Sequence, residues 1–190
     1  MIEIILYPTE TVYALGVNPL DEKAWRALCA LKQRSDEQPA SWLVRDIDDI
    51  RQYAEVGEVT TRIVERCMPG PVTLVLPAKD SVPVWSRSAS GMVSFRLSPD
   101  PQAQALIESH MAKHNAPLTC TSANVHGLPT ASDIAGIVKQ FGKSAEAITQ
   151  IIDGGMRTEM ASTVVAVKNN QLKILRPGPV SIEELAAALG

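Results

Sequence analysis

The sequence predicts an α/β fold of the α+β type, with a mixed sheet, flanking helices and a concave site that carries positive charge. Short apolar stretches of strand length alternate with stretches in which apolar residues recur at helical spacing. Some predicted strands follow one another without a helix between them, which favours a mixed sheet over a strictly parallel one. The length suits a single domain over residues 1–190, and we expect no second C-terminal domain.

The predicted elements of the N-terminal half begin with a strand over residues 2–6, which stops at the polar turn "PTET". Asp21 can cap a helix that runs to Arg34, because an aspartate oxygen accepts hydrogen bonds from the first free amides of a helix. The remaining predictions of this half are a strand at "ASWLVRD", helices at "DIDDIRQYA" and "VTTRIVERCM", and strands at "VTLVLPA" and "GMVSFRL".

The C-terminal half continues the alternation of helices and strands. Its predicted elements are a helix at "DPQAQALIESHMAKH", an apolar approach to a hydroxyl-rich turn at "APLTCTSAN", a helix at "ASDIAGIVKQFG" capped at or near Ser132, a closing hairpin of "STVVAVK" and "QLKILRPG", and a final helix at "SIEELAAALG". We expect the first strand to lie inside the sheet, because four of the five residues in "IEIIL" are apolar. The final helix has an apolar stripe, and we expect it to cover one face of that strand.

Composition narrows the class of protein. The formal net charge is -3 and aromatic residues make up 4% of the chain, which speaks against a platform for stacking nucleic-acid bases. The three cysteines lie far apart without metal-ligand spacing, so we expect reduced thiols and a cytoplasmic protein. No apolar run approaches the roughly 20 residues of a membrane span, and no membrane association is predicted.

Small hydroxyl residues gather where predicted strands end, in "YPTET", "TCTSAN" and "MASTVV". Such residues more often form turns or helix caps than ligand sites. Four cations lie in or near similar stretches: Lys32, Arg34, Arg96 and Arg176. The first two can simply complement a helix dipole, whereas an inward-facing Arg96 needs an anion. Together these residues predict a concave site for a phosphate-bearing ligand and a small carboxylate.

Established motifs for metalloproteases, P-loops and dinucleotide-binding folds are absent from the sequence, and no protein metal site is predicted. His110 and His114 are four residues apart on a predicted helix. No third ligand is apparent in the sequence, so we interpret this pair as part of a solvated face.

The motifs taken together resemble the YrdC-like family, in particular its short, single-domain threonylcarbamoyl-AMP synthases. They are "YPTETVYALG", "LKQRSDEQP", "PGPVTLVL", "FRLSP", "TSANVHG", "IIDGG", "STVV" and "ILRPG", in the family's order. The resemblance implies a twisted, open sheet with a positively lined concave surface. It implies synthesis of threonylcarbamoyl-AMP and pyrophosphate from L-threonine, bicarbonate and ATP, with Mg²⁺ entering alongside ATP. A downstream transferase complex would use the product to modify tRNA.

The resemblance also implies roles for individual residues. The catalytic tetrad would be Lys32, Arg34, Ser122 and Asn124. The threonine side would comprise Thr11, Arg96, Ser122 and Ser162. The nucleotide side would comprise Arg34, Gln38, Asn124, Ser132 and Arg176.

The chain departs from the family pattern at several positions. "YALG" places Ala14 where glycine is usual. Ser35, which directly follows the pair of Lys32 and Arg34, stands where proline is usual. Leu43 or Trp42 stands where a histidine is often found, so one threonine contact is expected to be missing. His126 replaces a common serine.

Two alternatives remain from the sequence. The first is a module that binds double-stranded RNA or tRNA through its cations. The second is a non-catalytic paralogue of the same fold. The presence of all four tetrad residues argues against it.

Overall fold

The protein folds into two mixed β-sheets with helices packed on them, in a computed structural model that describes residues 2–35 and 39–189. The helices of these ranges are α1 (Glu22–Lys32), α2 (Ile47–Tyr53), α3 (Glu58–Cys67), α4 (Pro101–His114), α5 (Ile134–Phe141) and α6 (Ile182–Leu189). Short 3₁₀ turns cover Val84–Ser86 and Gly142–Ala147. Within the described ranges, no helix has the length and apolar character needed to cross a membrane.

The strands are distributed over a four-stranded and a six-stranded sheet. They are β1 (Ile5–Tyr7), β2 (Ala14–Gly16), β3 (Ser41–Leu43), β4 (Val72–Pro77), β5 (Met92–Arg96), β6 (Leu118–Thr119), β7 (Thr121–Ser122), β8 (Gln150–Ile151), β9 (Thr163–Lys168) and β10 (Gln171–Arg176). The four-stranded sheet has the order β7-β2-β1-β8, and the six-stranded sheet has the order β10-β9-β4-β5-β3-β6. The predicted fold class and the closing antiparallel hairpin of β9 and β10 are confirmed.

The sequence predicts one sheet, and the structure contains two. The chain passes between them after β2, between β6 and β7, and after β8, and the second of these crossings takes a single residue. Cys120 separates β6 of the larger sheet from β7 of the smaller one. Its amide donates to the Ser41 carbonyl over 2.6 Å, which holds the crossing point against β3. The hydroxyl-rich turn after β7 is therefore carried by one sheet while the strands beside it belong to the other.

Alternation along the six-stranded sheet separates the main core from a polar face. Leu74, Phe95 and Val165 point to a buried cluster that also contains side chains of α2, α3 and α6. Their neighbours along the same strands, such as Thr73 and Ser94, point to the opposite face. This follows from the two-residue period of a strand. Among the described helices, none is placed over the polar side chains of the central strands, which line a cavity instead.

Helix α1 ends in a geometry that positions two predicted site residues. Asp21 caps its start, as predicted, by accepting from the Lys23 amide over 2.9 Å. At the other end, Gln33 adopts a left-handed conformation with φ 52°, and the next amide, that of Arg34, bonds back to the Cys29 carbonyl over 3.1 Å. The chain thus turns sharply between Lys32 and Arg34.

The first strand lies inside a sheet, as predicted, between β2 and β8. Its alternate residues enter two separate cores: Ile4 and Leu6 pack with residues of α1 and α5, and Ile5 and Tyr7 pack with residues of α4. The strand is therefore covered on both faces.

The prediction that the C-terminal helix covers β1 is wrong. Helix α6 packs beside α3 over the six-stranded sheet, with Leu185 fully buried in its core and Ile182 64% exposed. Arg62 and Arg66 of α3 donate to carbonyls of the last turn of α6. The first strand does not need this helix because α4, α1 and α5 already cover it.

Candidate active site

The face of the six-stranded sheet left free of helices forms a cavity of about 860 Å³. Four cationic side chains line it, namely Arg96, Lys168, Lys173 and Arg176. Nine hydroxyl side chains line it as well: Ser41, Thr73, Ser88, Ser90, Ser94, Thr121, Ser122, Thr130 and Ser162. Among the described residues, no aspartate or glutamate belongs to this lining. Such a cavity attracts anions and offers many neutral hydrogen-bonding groups.

Arg96 occupies the cavity side of β5, and its neighbour Phe95 enters the core on the other side. Its Nη1 donates to Thr11 Oγ1 over 3.0 Å, and its Nη2 donates to the Glu10 carboxylate. Its Nε is buried and has no hydrogen-bond partner among the described residues. The Nε hydrogen and the second hydrogens of Nη1 and Nη2 therefore have no partner among the described residues.

Glu10 is a site residue that the sequence analysis did not identify. An inward-facing Arg96 needs an anion, and Glu10 supplies one from the loop after β1. The second oxygen of this carboxylate accepts from the Ser98 hydroxyl, and Ser98 lies two residues beyond Arg96. The signal was the carboxylate within "TET", between two threonines of a motif already singled out.

Lys32 joins the end of α1 to the loop that carries Ser122 and Asn124. Its ammonium donates to the backbone carbonyl of Ser122 and, over 2.8 Å, to that of Asn124. Ser122 Oγ donates to Asn124 Oδ1 over 2.5 Å, and the Asn124 amide nitrogen donates to Leu128 O over 2.8 Å. Three members of the predicted tetrad are thus in direct contact, and Lys32 and Asn124 hold the loop in shape.

The positive charge of Lys32 is buried and lies near a second cation, Arg34. The side chain is 4% exposed, and this burial, with a smaller contribution from Arg34, lowers the pKa of Lys32 to about 7. Nε and Nη2 of Arg34 are buried and lack hydrogen-bond partners within the described ranges. The guanidinium carbon of Arg34 lies 5.3 Å from the centre of the Trp25 ring. An anion beside this pair would compensate both charges.

Ser162 and Arg176 are in direct contact at the far side of the cavity. Arg176 Nη2 donates to the Ser162 carbonyl over 2.7 Å, and Ser162 Oγ pairs with Thr73 Oγ1 at 2.7 Å. Gly178 lies close to the backbone beside Ser162. A Cβ added to Gly178 would lie 2.4 Å from the Thr163 amide nitrogen, which leaves no room for a side chain there. The pKa of Arg176 is lowered by burial and by Arg96 nearby. The predicted threonine and nucleotide sides therefore adjoin at this point.

The structure places the other predicted residues as follows. Thr11 is buried behind Arg96 and reaches the cavity only through it. Ser132 does not line the cavity, and its carbonyl accepts from the Arg157 amide over 2.8 Å. The cap of α5 is Asp133, one residue after the expected Ser132. Gln38 lies outside the described residues.

The departures from the family pattern have simple structural settings. Trp42 and Leu43 are both buried in cores, and neither lines the cavity. The His126 amide donates to the Lys32 carbonyl over 2.8 Å, a backbone contact that does not depend on the histidine side chain.

Comparison with known proteins assigns the chain to a family. The model of the Sua5/YciO/YrdC family, described as "Telomere recombination", matches residues 3–178. The chain belongs to this family. The matched range contains the described cavity and both ends of the Lys32 contact network.

Two relatives of the chain are named threonylcarbamoyl-AMP synthases. A threonylcarbamoyl-AMP synthase of Pyrococcus abyssi is 32% identical over 190 residues, which cover 99% of this chain and 54% of that protein. The enzyme of the same name from Yersinia enterocolitica is 32% identical over 155 residues, covering 80% of each chain. This chain thus spans about half the length of the Pyrococcus relative.

Solved structures of the family have the same fold. P. abyssi Sua5 complexed with L-threonine superposes with a TM-score of 0.89 at 32% identity, covering 99% of this chain and 54% of that one. E. coli YciO superposes with a TM-score of 0.84 at 26% identity, covering 97% of this chain and 87% of that one.

Proposed function

We propose that this chain is a threonylcarbamoyl-AMP synthase, which makes threonylcarbamoyl-AMP and pyrophosphate from L-threonine, bicarbonate and ATP. The observation that carries the proposal is the cavity itself, lined by four cations and nine hydroxyl groups without a described carboxylate. Two further cations, Lys32 and Arg34, lie uncompensated by any described carboxylate at the end of α1. The names of the relatives support the same activity.

The reaction needs positioning and charge stabilisation at two steps. The neutral threonine amine attacks CO₂ derived from bicarbonate and loses one proton to give the carbamate. If it attacks bicarbonate itself, the C–OH bond breaks and the hydroxyl leaves as water with the amine proton. A carbamate oxygen then attacks the α-phosphorus of ATP, and the bond to the pyrophosphate oxygen breaks. Negative charge develops on the phosphoryl oxygens and on the leaving pyrophosphate, which the cations of the site are suited to stabilise.

The threonine side of the site centres on Arg96. Arg96 lines the cavity, and its guanidinium hydrogens without a described partner are suited to donate to the substrate carboxylate, while Glu10 and Thr11 hold the group in place. The hydroxyls of Ser122 and Ser162 are suited to pair with the threonine hydroxyl. A site that pairs a substrate hydroxyl discriminates strongly against an analogue without it, whereas the methyl that separates threonine from serine is worth about 1–3 kcal/mol.

The nucleotide side would use Arg34, Arg176 and the loop at Asn124, with Gln38 and Ser132 as further predicted contacts. Because Lys32 and the Asn124 amide are engaged in backbone contacts, we assign both to holding this loop. Lys32 also contributes its charge, because a phosphate nearby would favour its protonated form. In this arrangement the tetrad positions the substrates and stabilises charge rather than transferring protons.

The residues present do not form a magnesium cage. Mg²⁺ prefers carboxylate and water oxygens, and the described cavity lining holds no carboxylate. Within the described ranges, the one group of three side chains able to hold a metal lies elsewhere, at Glu3. Magnesium therefore belongs to the substrate MgATP, and no step is assigned to a protein-bound ion.

A downstream transferase complex would receive threonylcarbamoyl-AMP and modify tRNA, and the enzyme would work in the cytoplasm. The three unpaired cysteines, Cys29, Cys67 and Cys120, are in keeping with a reducing compartment. These partners and this location stay predictions, as does the extent of a single domain over residues 1–190.

The test is to incubate the protein with L-threonine, bicarbonate and MgATP, without RNA, and to measure threonylcarbamoyl-AMP by mass and pyrophosphate by a coupled assay. We expect both products in equal amounts, and neither when threonine or bicarbonate is omitted. Absence of both products from folded protein would contradict the proposal. Tight tRNA binding by such an inactive protein would favour the nucleic-acid-binding alternative.

A further inference from the structure

A second cluster of chemically reactive side chains lies away from the cavity, between the N-terminal segment and α4. Glu3, His110 and His114 each place a potential ligand atom within 4.8 Å of those of the other two. The two imidazole rings have centroids 4.5 Å apart, and His114 Nε2 lies 3.8 Å from Glu3 Oε2. The sequence analysis found no third ligand for the histidine pair, and the tertiary structure supplies Glu3.

His110 differs from the solvated residue that the sequence predicts. It is 6% exposed, and its Nε2 is buried without a hydrogen-bond partner among the described residues. The His110 ring also makes a hydrogen bond to the backbone of Pro117. Because Nε2 has no partner, this bond must come from Nδ1. In the tautomer that donates from Nδ1, Nε2 carries the lone pair of the ring.

This is the arrangement that a metal-bound histidine usually has. One ring nitrogen donates to a backbone carbonyl, which fixes the tautomer and the ring plane, and the other nitrogen is directed at the metal. A buried acceptor without a partner loses its hydrogen bonds to water and gains none in return, so its presence needs an explanation. His114 Nε2 lies 3.8 Å from Glu3 Oε2, and this contact leaves Nε2 of His110 unsatisfied.

The backbone holds the three side chains in place. His110 and His114 are one turn apart on α4, which packs through Ile107 and Met111 into the core beneath β1. Next to Glu3, the Ile4 amide donates to Thr149 Oγ1 over 3.0 Å. The packing of α4 and the Ile4 hydrogen bond thus hold the backbone on both sides of the cluster.

We propose that Glu3, His110 and His114 form a binding site for a divalent transition metal, with zinc as the best match. Imidazole nitrogens and a carboxylate oxygen bind zinc at about 2.0–2.2 Å, which sets ligand atoms roughly 3.4 Å apart in a tetrahedron. The 3.8 Å between His114 Nε2 and Glu3 Oε2 is already near that separation. A surface cavity of about 470 Å³ adjoins all three residues and leaves room for water as a fourth ligand.

The site would tie the start of β1 to α4. The loop after β1 carries Glu10, and Arg96 and Ser98 just before α4 bind that carboxylate. A metal here would therefore stabilise two elements whose opposite ends meet at the threonine side of the cavity. Its role is structural and independent of the proposed synthesis reaction.

The test titrates the untagged, metal-free protein with ZnCl₂ by calorimetry and with CoCl₂ by visible absorption, which reports the cobalt ligand geometry. We expect one equivalent of Zn²⁺ to bind and the melting temperature to rise by several degrees. Glu3→Gln and His114→Ala should each weaken binding by at least about tenfold and abolish the rise in melting temperature. Both side chains are partly exposed, so these variants should still fold.

His126→Ala is the matched control, because it removes an exposed histidine outside the cluster. It should bind Zn²⁺ like the unmodified chain. The proposal is overturned if the unmodified chain shows no saturable binding at submillimolar Zn²⁺. It is equally overturned if Glu3→Gln and His114→Ala both bind as tightly as His126→Ala.

Discussion

Glu10 and Arg96 form a buried ion pair, in which Arg96 Nη2 donates to the carboxylate and the side chains are 16% and 6% exposed, respectively. Removing one partner of such a pair leaves a buried charge uncompensated. We expect Glu10→Ala to lower the free energy of unfolding by about 3–5 kcal/mol. Glu10→Gln retains an acceptor and should cost less, about 1–3 kcal/mol.

Urea denaturation of both variants measures these costs. The control is Glu22→Ala, because Glu22 pairs with Arg26 on the surface, where an ion pair contributes about 0–1 kcal/mol. A cost for Glu10→Ala no larger than that for Glu22→Ala would mean that the buried pair does not stabilise the fold.

Arg96→Lys should weaken threonine binding more than ATP binding. An ammonium cannot reproduce the planar set of donors with which Arg96 holds Glu10 and Thr11 and still offers further hydrogens to a carboxylate. We expect the KM for threonine to rise roughly tenfold, with a smaller change for ATP. Steady-state kinetics with each substrate varied in turn measures both values.

Arg176→Lys is the matched change on the predicted nucleotide side, and it should raise the KM for ATP more than that for threonine. If the two variants give the same pattern, the assignment of the two sides is wrong. The structure would explain that outcome, because Arg176 directly contacts Ser162 of the predicted threonine side.

Arg34→Ala should reduce synthesis by about 10²-fold, the usual cost of removing a donor that stabilises developing charge. Its effect on stability should be small, because two of the guanidinium nitrogens make no hydrogen bond within the described ranges. The measurement is the rate of pyrophosphate release, together with the melting temperature.

Arg26→Ala on the same helix is the control for Arg34→Ala. Arg26 is paired with Glu22 at the surface. Its side chain is much more exposed than that of Lys32. Equal activity of the Arg26 and Arg34 variants would remove Arg34 from the site.

Lys32 should make the stability of the protein depend on pH. The unfolded chain keeps its lysine proton up to about 10.5, whereas burial lowers the pKa of Lys32 in the folded protein to about 7. Between these values the unfolded state binds more protons, so the contribution of this group to stability rises with pH. Below the lower value the full penalty of a buried charge is present.

Lys32→Met keeps the aliphatic stem and removes this titration. The free energy of unfolding of the unmodified chain, measured relative to the variant, should therefore increase from pH 7 to about pH 10. A constant difference across this range would mean that Lys32 keeps its proton. At every pH the variant should also lose most of its synthesis activity, because the bonds to the Ser122 and Asn124 carbonyls are gone.

Leu185→Ala in α6 should lower the free energy of unfolding by about 2–5 kcal/mol, because this side chain is fully buried in the core of the six-stranded sheet. Ile182→Ala on the same helix should change it little, since Ile182 is 64% exposed. Thermal unfolding of the two variants compares them directly. Equal shifts would contradict the observed packing of α6 beside α3.

Local patterns in the sequence determined most of the elements and several of the site residues. The helix over 22–32 and its cap at Asp21 follow from side-chain spacing and from one carboxylate, which act within a few residues. The sequence also indicated that Arg96 would need an anion if it faced inward. Short motifs and their order predicted the family.

Tertiary structure alone decided which long-range partners these residues have. Arg96 binds Glu10, which is 86 residues away along the chain, and Lys32 binds the Asn124 carbonyl, which is 92 residues away. The sequence carries no local signal for either contact, because each depends on how whole strands and helices pack. For the same reason α6 lies beside α3 rather than over β1. The fold likewise brings Glu3 to His110 and His114, a ligand set that spacing along one helix could not complete.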